Sequence, residues 1–367
     1  MTKININDRV SKLRNSLEDL QLDAAVILSV ENRIYFSQFT GSSGALIITK
    51  DETYLLTDYR YSEQATKQAK EYEVIRHTGT LIDSLGKHLK AKNINRIGIE
   101  GSMAFSHFRD LEKNTSIGTF DILDQAIMSI RKIKDEYEVS CIHKGITLCD
   151  MAFNHIINYI QPGMSEKEIG LELEYFMKKN GADQIKSNHI IASGERSSLP
   201  HGVASSRIVN EGEFVKMDIG AIIEGYYSDF TRTVVIGEPT VQQREIYQVV
   251  FDALEASLRQ IGPGKTAAEI DEVGRSVIRN AGYNEYSGNS LGHSLGLNIH
   301  ESPFLRVNDH TPLEPGMVIT VEPGIYIPGW GGVRIEDLVV IRENGHNNLT
   351  TATKELQIIP IRSQIIN

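Results

Sequence analysis

Residues 216–233, KMDIGAIIEGYYSDFTRT, have the pattern of a β-hairpin. Both arms are rich in residues typical of strands, and Glu224-Gly225 stands where a tight turn belongs. With a two-residue turn, position 218 faces position 231, so Asp229 lies on the same face as Asp218. Two carboxylates on one face of neighbouring strands repel each other unless a cation lies between them. The hairpin therefore predicts a bound positive charge.

Composition limits the classes of partner. The chain has 367 residues, with 38 Lys and Arg against 48 Asp and Glu, a net charge of −10. An acidic balance disfavours nucleic acid and anionic membranes as partners. No apolar run approaches the ~20 residues of a membrane span, and the N-terminus, MTKININDRVSKLRNSLEDL, lacks an apolar signal region. We therefore expect a cytoplasmic protein without nucleic-acid or membrane partners.

The pattern of apolar residues predicts two domains and an α/β (α+β) fold. Residues 1–128 alternate short helices and strands, which indicates an α/β domain with a mixed sheet. Residues 129–367 form the second domain, which opens with a long helix. In the first domain we predict helices near 8–20, 59–70 and 80–91, and strands at 24–28, 45–49, 53–57, 72–75 and 96–99.

The second domain contains an internal duplication. Residues 160–169 recur as 261–270, and each copy ends one helix and starts the next with a capping box. Further along, 211–220 recurs as 315–324, which aligns Asp218 with Glu322. Each half thus predicts helices followed by a strand pair that presents carboxylates. Packing of the two halves against each other would bring both acidic strand pairs to one central, pseudo-symmetric site.

The second strand pair supplies Glu322 and Glu336, and His293 lies between the two halves. Four carboxylates and one imidazole are mostly hard ligands, which suit Mn²⁺, Co²⁺ or a similar ion. This much negative charge would overload one ion, whereas two ions can share bridging carboxylates. Such a pair activates water and polarises a carbonyl group.

These residues resemble the pita-bread metallopeptidases, specifically the Xaa-Pro peptidases prolidase and aminopeptidase P. The resemblance spans roughly residues 131–360, and the smaller N-terminal domain also fits the creatinase/prolidase layout. It rests on the following motifs: Leu199-Pro200-His201-Gly202, Met217-Asp218-Ile219-Gly220, Ser228-Asp229-Phe230-Thr231-Arg232-Thr233, Gly292-His293 with His300-Glu301, Val321-Glu322-Pro323-Gly324-Ile325-Tyr326, and Val333-Arg334-Ile335-Glu336-Asp337.

The resemblance implies a site for two divalent metal ions, Mn²⁺ first, with Co²⁺ or Zn²⁺ as alternatives. A hydroxide bridging the two metals would attack the Xaa-Pro carbonyl, with Asp229 and Glu336 shared between the ions. The implied ligands are Asp218, Asp229, His293, Glu322 and Glu336.

The resemblance also implies roles for residues around the metals. Glu322 would handle the proton of the nucleophile. His201 and His300 would bind substrate and stabilise the oxyanion, and Arg334 would hold nearby acids in place. Many relatives have a histidine near the substrate proline where this chain has Asn289, so Asn289 is a further candidate for substrate binding.

The expected substrates are proline-containing di- or oligopeptides, and the expected assembly is a homodimer. We predict an Xaa-Pro dipeptidase, with an aminopeptidase P acting on longer peptides as the alternative. A dipeptidase must recognise the free carboxylate after proline, and Arg306 is one candidate for that contact.

Two other classes fit the sequence less well. A non-enzymatic binding protein on the same fold would be expected to lose ligands, and this chain keeps all five. Gly292–Gly296 also matches G-x-S-x-G, but the flanking residues do not predict the strand and helix that a serine-hydrolase elbow requires.

Overall fold

A computed structural model describes residues 4–115, 117–186 and 189–361. The chain divides into two compact units, Met1–Arg131 and Lys132–Asn367. No helix within the described ranges combines the length and the apolar character needed to cross a bilayer.

The first unit combines short helices with a single sheet. The helices are α1 (Ile6–Asp19), α2 (Val30–Ser37), α3 (Ser62–Gln68), α4 (Leu81–Ala91), α5 (Phe105–Asn114) and α6 (Asp124–Arg131); the strands are β1 (Ala24–Ile27), β2 (Ala45–Thr49), β3 (Thr53–Thr57), β4 (Glu73–Arg76), β5 (Arg96–Ile99) and β6 (Thr119–Ile122). The six strands form one sheet in the order β4-β3-β2-β1-β5-β6. β1 pairs antiparallel with β2 and parallel with β5, so the predicted mixed sheet is confirmed.

Some elements of this unit differ from the sequence prediction. α2, α5, α6 and β6 were not predicted, and α3 is shorter than expected. α5 has no side-chain cap at Ala104, and the residues of β6 are only half-buried or exposed. α5 therefore lacks the capping signal and β6 the alternation of buried and exposed residues on which a sequence prediction depends, whereas α2 does begin with a capping side chain, Ser29.

Among its described residues, the second unit has four α-helices: α7 (Glu136–Ile156), α8 (Glu166–Lys179), α9 (Val241–Gln260) and α10 (Ala267–Asn280). Single-turn 3₁₀ helices occur at Gly194–Ser198 and Asn284–Tyr286. The strands are β7 (Gln184–Ile185), β8 (Ile190–Ser193), β9 (Phe214–Ile219), β10 (Ala221–Ile223), β11 (Tyr226–Tyr227), β12 (Phe230–Ile236), β13 (Gly292–Ser294), β14 (Glu301–Leu305), β15 (Val318–Val321), β16 (Gly324–Ile327), β17 (Gly331–Arg334), β18 (Asp337–Arg342), β19 (Gly345–Asn348) and β20 (Gln357–Ile359).

The internal duplication is present in the strand arrangement. One sheet has the order β20-β12-β9-β8, and another has the order β14-β13-β15-β18-β19. β9 pairs antiparallel with β12 in the first, as β15 does with β18 in the second. The capping boxes of α8 and α10 are both formed, around Ser165 and Thr266. The predicted repeat of helices followed by an acidic strand pair is thus confirmed.

The hairpin has the predicted register. Ile223 pairs with Tyr226 and Asp218 with Thr231. Glu224 and Gly225 have φ angles of 53° and 84°, the left-handed conformation of a tight hairpin turn.

Helix α7 packs closely on this hairpin. A Cβ at Gly145 would lie 2.9 Å from Ser228 Oγ, so only glycine allows this approach. The rings of Phe153 and Phe230 pack with their centroids 5.7 Å apart. This contact fixes the strand end that carries Asp229.

Candidate active site

The predicted ligands lie at strand ends of the two related sheets. Asp218 is on β9 and Asp229 precedes β12, whereas Glu322 follows β15 and Glu336 precedes β18. His293 is on β13. Four of the five are buried, and the Glu322 side chain retains 19% exposure. Glu322 is therefore the ligand candidate most open to solvent.

The structure brings these side chains together across the two halves. His293 Nε2 lies 3.3 Å from Glu322 Oε1 and 3.7 Å from Asp229 Oδ2. The other ring nitrogen, Nδ1, lies 3.0 Å from the Ser294 carbonyl oxygen, which directs Nε2 toward the acids. Thr231 Oγ1 donates to Glu336 Oε2 at 2.8 Å and so ties the second strand pair to the first.

A lysine that the sequence did not predict lies between the two aspartates. Lys186 Nζ donates to Asp218 Oδ1 at 2.5 Å and to Asp229 Oδ1 at 2.7 Å. Arg334 Nη2 also donates to Asp218 Oδ2. As the side chains stand, no three His, Cys, Asp or Glu residues in the described ranges surround one point as ligands. The aspartates are instead turned toward these two cations.

The carboxylates have strongly divergent pKa values. Burial raises the pKa of Glu336 well above 4.5, and the charges of Asp229, Glu322 and Asp218 add to this shift. Burial also raises the pKa of Asp229, because the opposing charge of Lys186 does not fully offset it. Asp229 and Glu336 are therefore both hard to ionise. The cluster holds more carboxylate charge than the neighbouring cations of the protein neutralise.

Asp218 and Glu322 shift in the opposite direction. Burial disfavours the ionised form of Asp218, but Lys186 and Arg334 outweigh it and lower the pKa to about 2. For Glu322, the hydrogen bond and charge of His293 outweigh burial and also give a pKa of about 2.

The donor set fits divalent cations. Glu336 Oε1 is buried and has no hydrogen-bond partner among the described residues. A buried carboxylate oxygen without a donor is costly unless a cation binds it. Together with the imidazole and three further carboxylates, it forms a donor set, mostly of hard oxygens, that suits divalent metal ions.

The other predicted site residues surround this cluster. The His300 ring packs edge-on against the His293 ring, with centroids 4.5 Å apart. Burial and then the charge of His293 lower the pKa of His300, and His201 adds to this effect. His201 and His300 are both solvent-exposed. Both imidazoles are therefore accessible to a substrate from solvent.

Arg334 is buried and links the strands to the segment before His201. Its guanidinium donates to the Pro200 carbonyl oxygen and to the Tyr326 hydroxyl, each at 3.2 Å. Burial alone would lower the pKa of Arg334, but Tyr326 and Asp218 raise it well above its usual value. Arg334 is therefore a fixed positive charge beside Asp218.

The two residues considered for substrate recognition are exposed. Asn289 lies in the segment before β13. Arg306 follows β14, and its guanidinium lies 4.9 Å from the centre of the Phe304 ring. Phe304 pairs with His293 between the two strands, so Arg306 lies close to the cluster.

Sequence reasoning missed two further buried lysines. Lys134 Nζ donates to Ser294 Oγ at 3.0 Å and to Glu301 Oε2 at 3.2 Å. These bonds tie β13, which carries His293, to β14, which begins directly after His300. Lys216 Nζ donates to the Leu199 carbonyl oxygen at 2.6 Å, and burial lowers its pKa to about 6. The sequence held one signal for Lys216, since it lies two residues before Asp218 and so shares its face of the strand.

Comparison with known proteins identifies the class. The model of metallopeptidase family M24 matches residues 140–343, and the creatinase/prolidase N-terminal domain matches residues 9–133. The Xaa-Pro dipeptidase of Pyrococcus furiosus is 38% identical over 351 residues, covering 96% of this chain and 100% of that protein.

Two solved structures are similar over nearly the whole chain. The Xaa-Pro dipeptidase from Bacillus anthracis has a TM-score of 0.94 at 40% identity, covering 96% of this chain and 100% of that one. The X-Pro aminopeptidase from Thermotoga maritima has a TM-score of 0.87 at 38% identity, covering 94% and 100%.

The fold and the site therefore define a metallopeptidase with a creatinase/prolidase N-terminal domain and a pita-bread catalytic fold. The chain belongs to metallopeptidase family M24. The predicted fold class and the predicted enzyme class are confirmed, and membership of a metallopeptidase family implies divalent metal ions as cofactors.

Proposed function

We propose that this enzyme hydrolyses the peptide bond between any residue and a following proline, with Xaa-Pro dipeptides as its main substrates. The observation that carries the proposal is the cluster of four carboxylates and His293 around an unpartnered buried oxygen of Glu336. Two similar proteins named Xaa-Pro dipeptidase support the choice of dipeptides. Arg306 supports it physically, because a guanidinium near the cluster suits the free carboxylate of a dipeptide.

We assign catalysis to residues 129–367 and propose that two divalent ions, Mn²⁺ by preference, bind in this domain. Asp229 and Glu336 would be shared by both ions, Asp218 would bind one, and His293 with Glu322 the other. When bound, the ions polarise the scissile carbonyl and lower the pKa of a water molecule.

The protein's own groups supply the remaining steps. The low pKa of Glu322 keeps its carboxylate ionised at neutral pH, so an Oε atom is available to accept the proton of the attacking water. His201 and His300 offer N–H donors at the exposed side, where the carbonyl oxygen becomes negative. Arg334 holds Asp218 through a charged hydrogen bond. Asn289 offers an amide to the substrate from the neighbouring segment.

An Xaa-Pro aminopeptidase acting on longer peptides is the alternative. The Thermotoga maritima X-Pro aminopeptidase is about as similar in sequence to this chain as the dipeptidases are, and this similarity supports the alternative. The two functions differ in whether a free carboxylate directly after proline is required. We further propose that the enzyme is a cytoplasmic homodimer. Sedimentation of the purified enzyme measures its oligomeric state and so tests the dimer.

The deciding experiment is hydrolysis of Ala-Pro beside Ala-Pro-Ala, with Mn²⁺ added and after treatment with a chelator. We expect metal-dependent cleavage of Ala-Pro, and preference for the tripeptide would instead make the enzyme an aminopeptidase. Asp229→Asn should lose at least about a hundredfold in kcat/KM, because loss of a group that only supports a metal ligand already costs up to about that much and Asp229 would itself be shared by both ions. Asp252→Asn, an exposed acid on α9, is the matched control. No cleavage of either peptide by enzyme with two ions bound would refute the proline-specific function.

A further inference from the structure

The position of Lys186 has a consequence for metal binding. Its ammonium group lies within 2.7 Å of one oxygen of each of Asp218 and Asp229. These two oxygens share the one ammonium group, at the place where the hairpin requires a cation between its two carboxylates. A divalent ion and the Lys186 ammonium therefore compete for the same oxygens.

The backbone pairing at Lys186 does not depend on this placement of the side chain. The backbone of Lys186 has its own role, because its N–H donates to the Gly220 carbonyl oxygen at 2.8 Å and continues the β7–β10 pairing. The side chain extends from that fixed backbone on a flexible four-carbon stem. It can reorient without breaking a strand contact.

A second location for the ammonium lies next to the first. Lys186 lines a cavity of about 300 Å³ together with Glu174, Asp183 and His189. His189 Nδ1 is buried there and has no hydrogen-bond partner among the described residues. Burial lowers the pKa of His189, so the neutral ring can accept a hydrogen bond from an ammonium group. The cavity thus offers two carboxylates and a free acceptor.

The competition affects only one side of the cluster. Lys186 contacts Asp218 and Asp229, whereas His293 Nε2 approaches Glu322 and the other oxygen of Asp229. An ion held by His293 and Glu322 would leave the Lys186 contact with Asp218 intact. An ion held by Asp218 and Asp229 would have to displace it.

We propose that Lys186 is an internal competitor for metal, a positioning residue that neutralises Asp218 and Asp229 in the metal-free enzyme and moves toward Glu174 and His189 when an ion binds between them. This inference rests on the proposed metal site. It predicts that the two ions bind with unequal affinity, the Asp218 side being the weaker.

The test is calorimetric titration of the chelator-treated full-length enzyme with Mn²⁺. We expect two binding steps in the wild type. Lys186→Met should tighten the weaker step about tenfold or more, a usual size for coupling between competing ligands, and leave the stronger step unchanged. Lys186→Arg keeps the competing charge and should stay close to the wild type. Lys167→Met is the matched control, because Lys167 is exposed on α8 and does not line this cavity.

Thermal melting gives a second readout that a purely structural lysine would not produce. Without metal, Lys186→Met should melt below the wild type, because the two aspartates lose their counter-ion. With saturating Mn²⁺ the difference should disappear, so the metal-induced rise in Tm is larger in the variant. An equal loss of Tm in both states would mean that Lys186 only stabilises the fold.

The outcomes separate this inference from the proposed function. If Mn²⁺ binds the wild type and folded Lys186→Met with the same affinities, the competition between Lys186 and metal is refuted, whereas the proposed metal site is retained. If folded wild type and variant both fail to bind Mn²⁺, the metal site itself fails and the competitor with it. Should Lys186→Met not fold, Lys186→Gln removes the same charge with a polar side chain and decides the question.

Discussion

Replacing Glu166 by glutamine tests how the fold positions the segment that carries His201. Glu166 is the first residue of α8 and is fully buried. Its Oε1 accepts from the Ser193 N–H at 2.8 Å and hydroxyl at 2.9 Å, and its Oε2 accepts from the Ser205 N–H at 3.0 Å and hydroxyl at 2.6 Å. Arg196 also donates to Oε2. One carboxylate thus binds both ends of the segment 193–205.

The magnitude follows from this geometry. A glutamine side chain has only one acceptor oxygen. Its NH₂ group would therefore face the donors of either Ser193 or Ser205 without accepting from them, and Arg196 would lose its charged partner. Breaking a buried ion pair by removing one partner costs about 3–5 kcal/mol. The Arg196 side chain is 25% exposed, so solvent recovers part of this loss. We expect Glu166→Gln to lower the free energy of unfolding by about 3 kcal/mol at neutral pH.

The same site gives a pH dependence with a definite sign. Burial favours the protonated form of Glu166, but hydrogen bonds from Ser205 and Ser193 outweigh it and hold the pKa below 4.5. The stabilisation from the ionised group is therefore fully present above pH 4.5 and is lost as the pH falls through the lower, folded-state pKa. The difference between wild type and variant should be largest at neutral pH and should shrink in acid.

Urea denaturation followed by tryptophan fluorescence measures this difference. Trp330 is the only tryptophan in the chain and packs against Phe214, so its emission reports on the second unit. Glu168→Gln is the matched control, because Glu168 is exposed and caps the same helix locally. Equal stability of wild type and Glu166→Gln at neutral pH would refute the reasoning. So would a difference that persists unchanged at about pH 3.5.

Two further substitutions test the strands around the cluster. A Cβ at Gly292 would lie 1.9 Å from a carbonyl oxygen of β15. Gly292→Ala should therefore lower the free energy of unfolding by about 1–3 kcal/mol. It should also displace His293 and weaken Mn²⁺ binding, measured by calorimetry. Gly288→Ala, whose nearest neighbour would be 3.6 Å away, should leave binding unchanged; equal affinities in the two variants would contradict the prediction. Lys134→Met should lower the free energy of unfolding by about 3–5 kcal/mol, because it removes one partner of the buried ion pair between Lys134 and Glu301. Adding Glu301→Gln should restore part of that loss in urea denaturation, and additive losses would show that the two groups are not coupled.

Much of the fold follows from local sequence signals. The register of the hairpin, with Asp218 opposite Thr231, is set by a two-residue turn and the two-residue period of a strand. The capping boxes around Ser165 and Thr266 revealed the repeat, because helix starts require specific side chains at fixed spacing. These signals were sufficient to predict two acidic strand pairs that meet at one site.

The sequence itself therefore determined the fold class and the ligand candidates, whereas only the tertiary structure decided which positive charges accompany them. Lys186 reaches Asp218 because β7 pairs with β10, a contact between segments far apart in the chain. Lys134 reaches Glu301 across 167 residues. No periodicity or capping rule encodes such pairs, because they arise when separate elements pack and bury charges that must then find partners. Local patterns thus place the acids, and long-range packing supplies the cations that balance them.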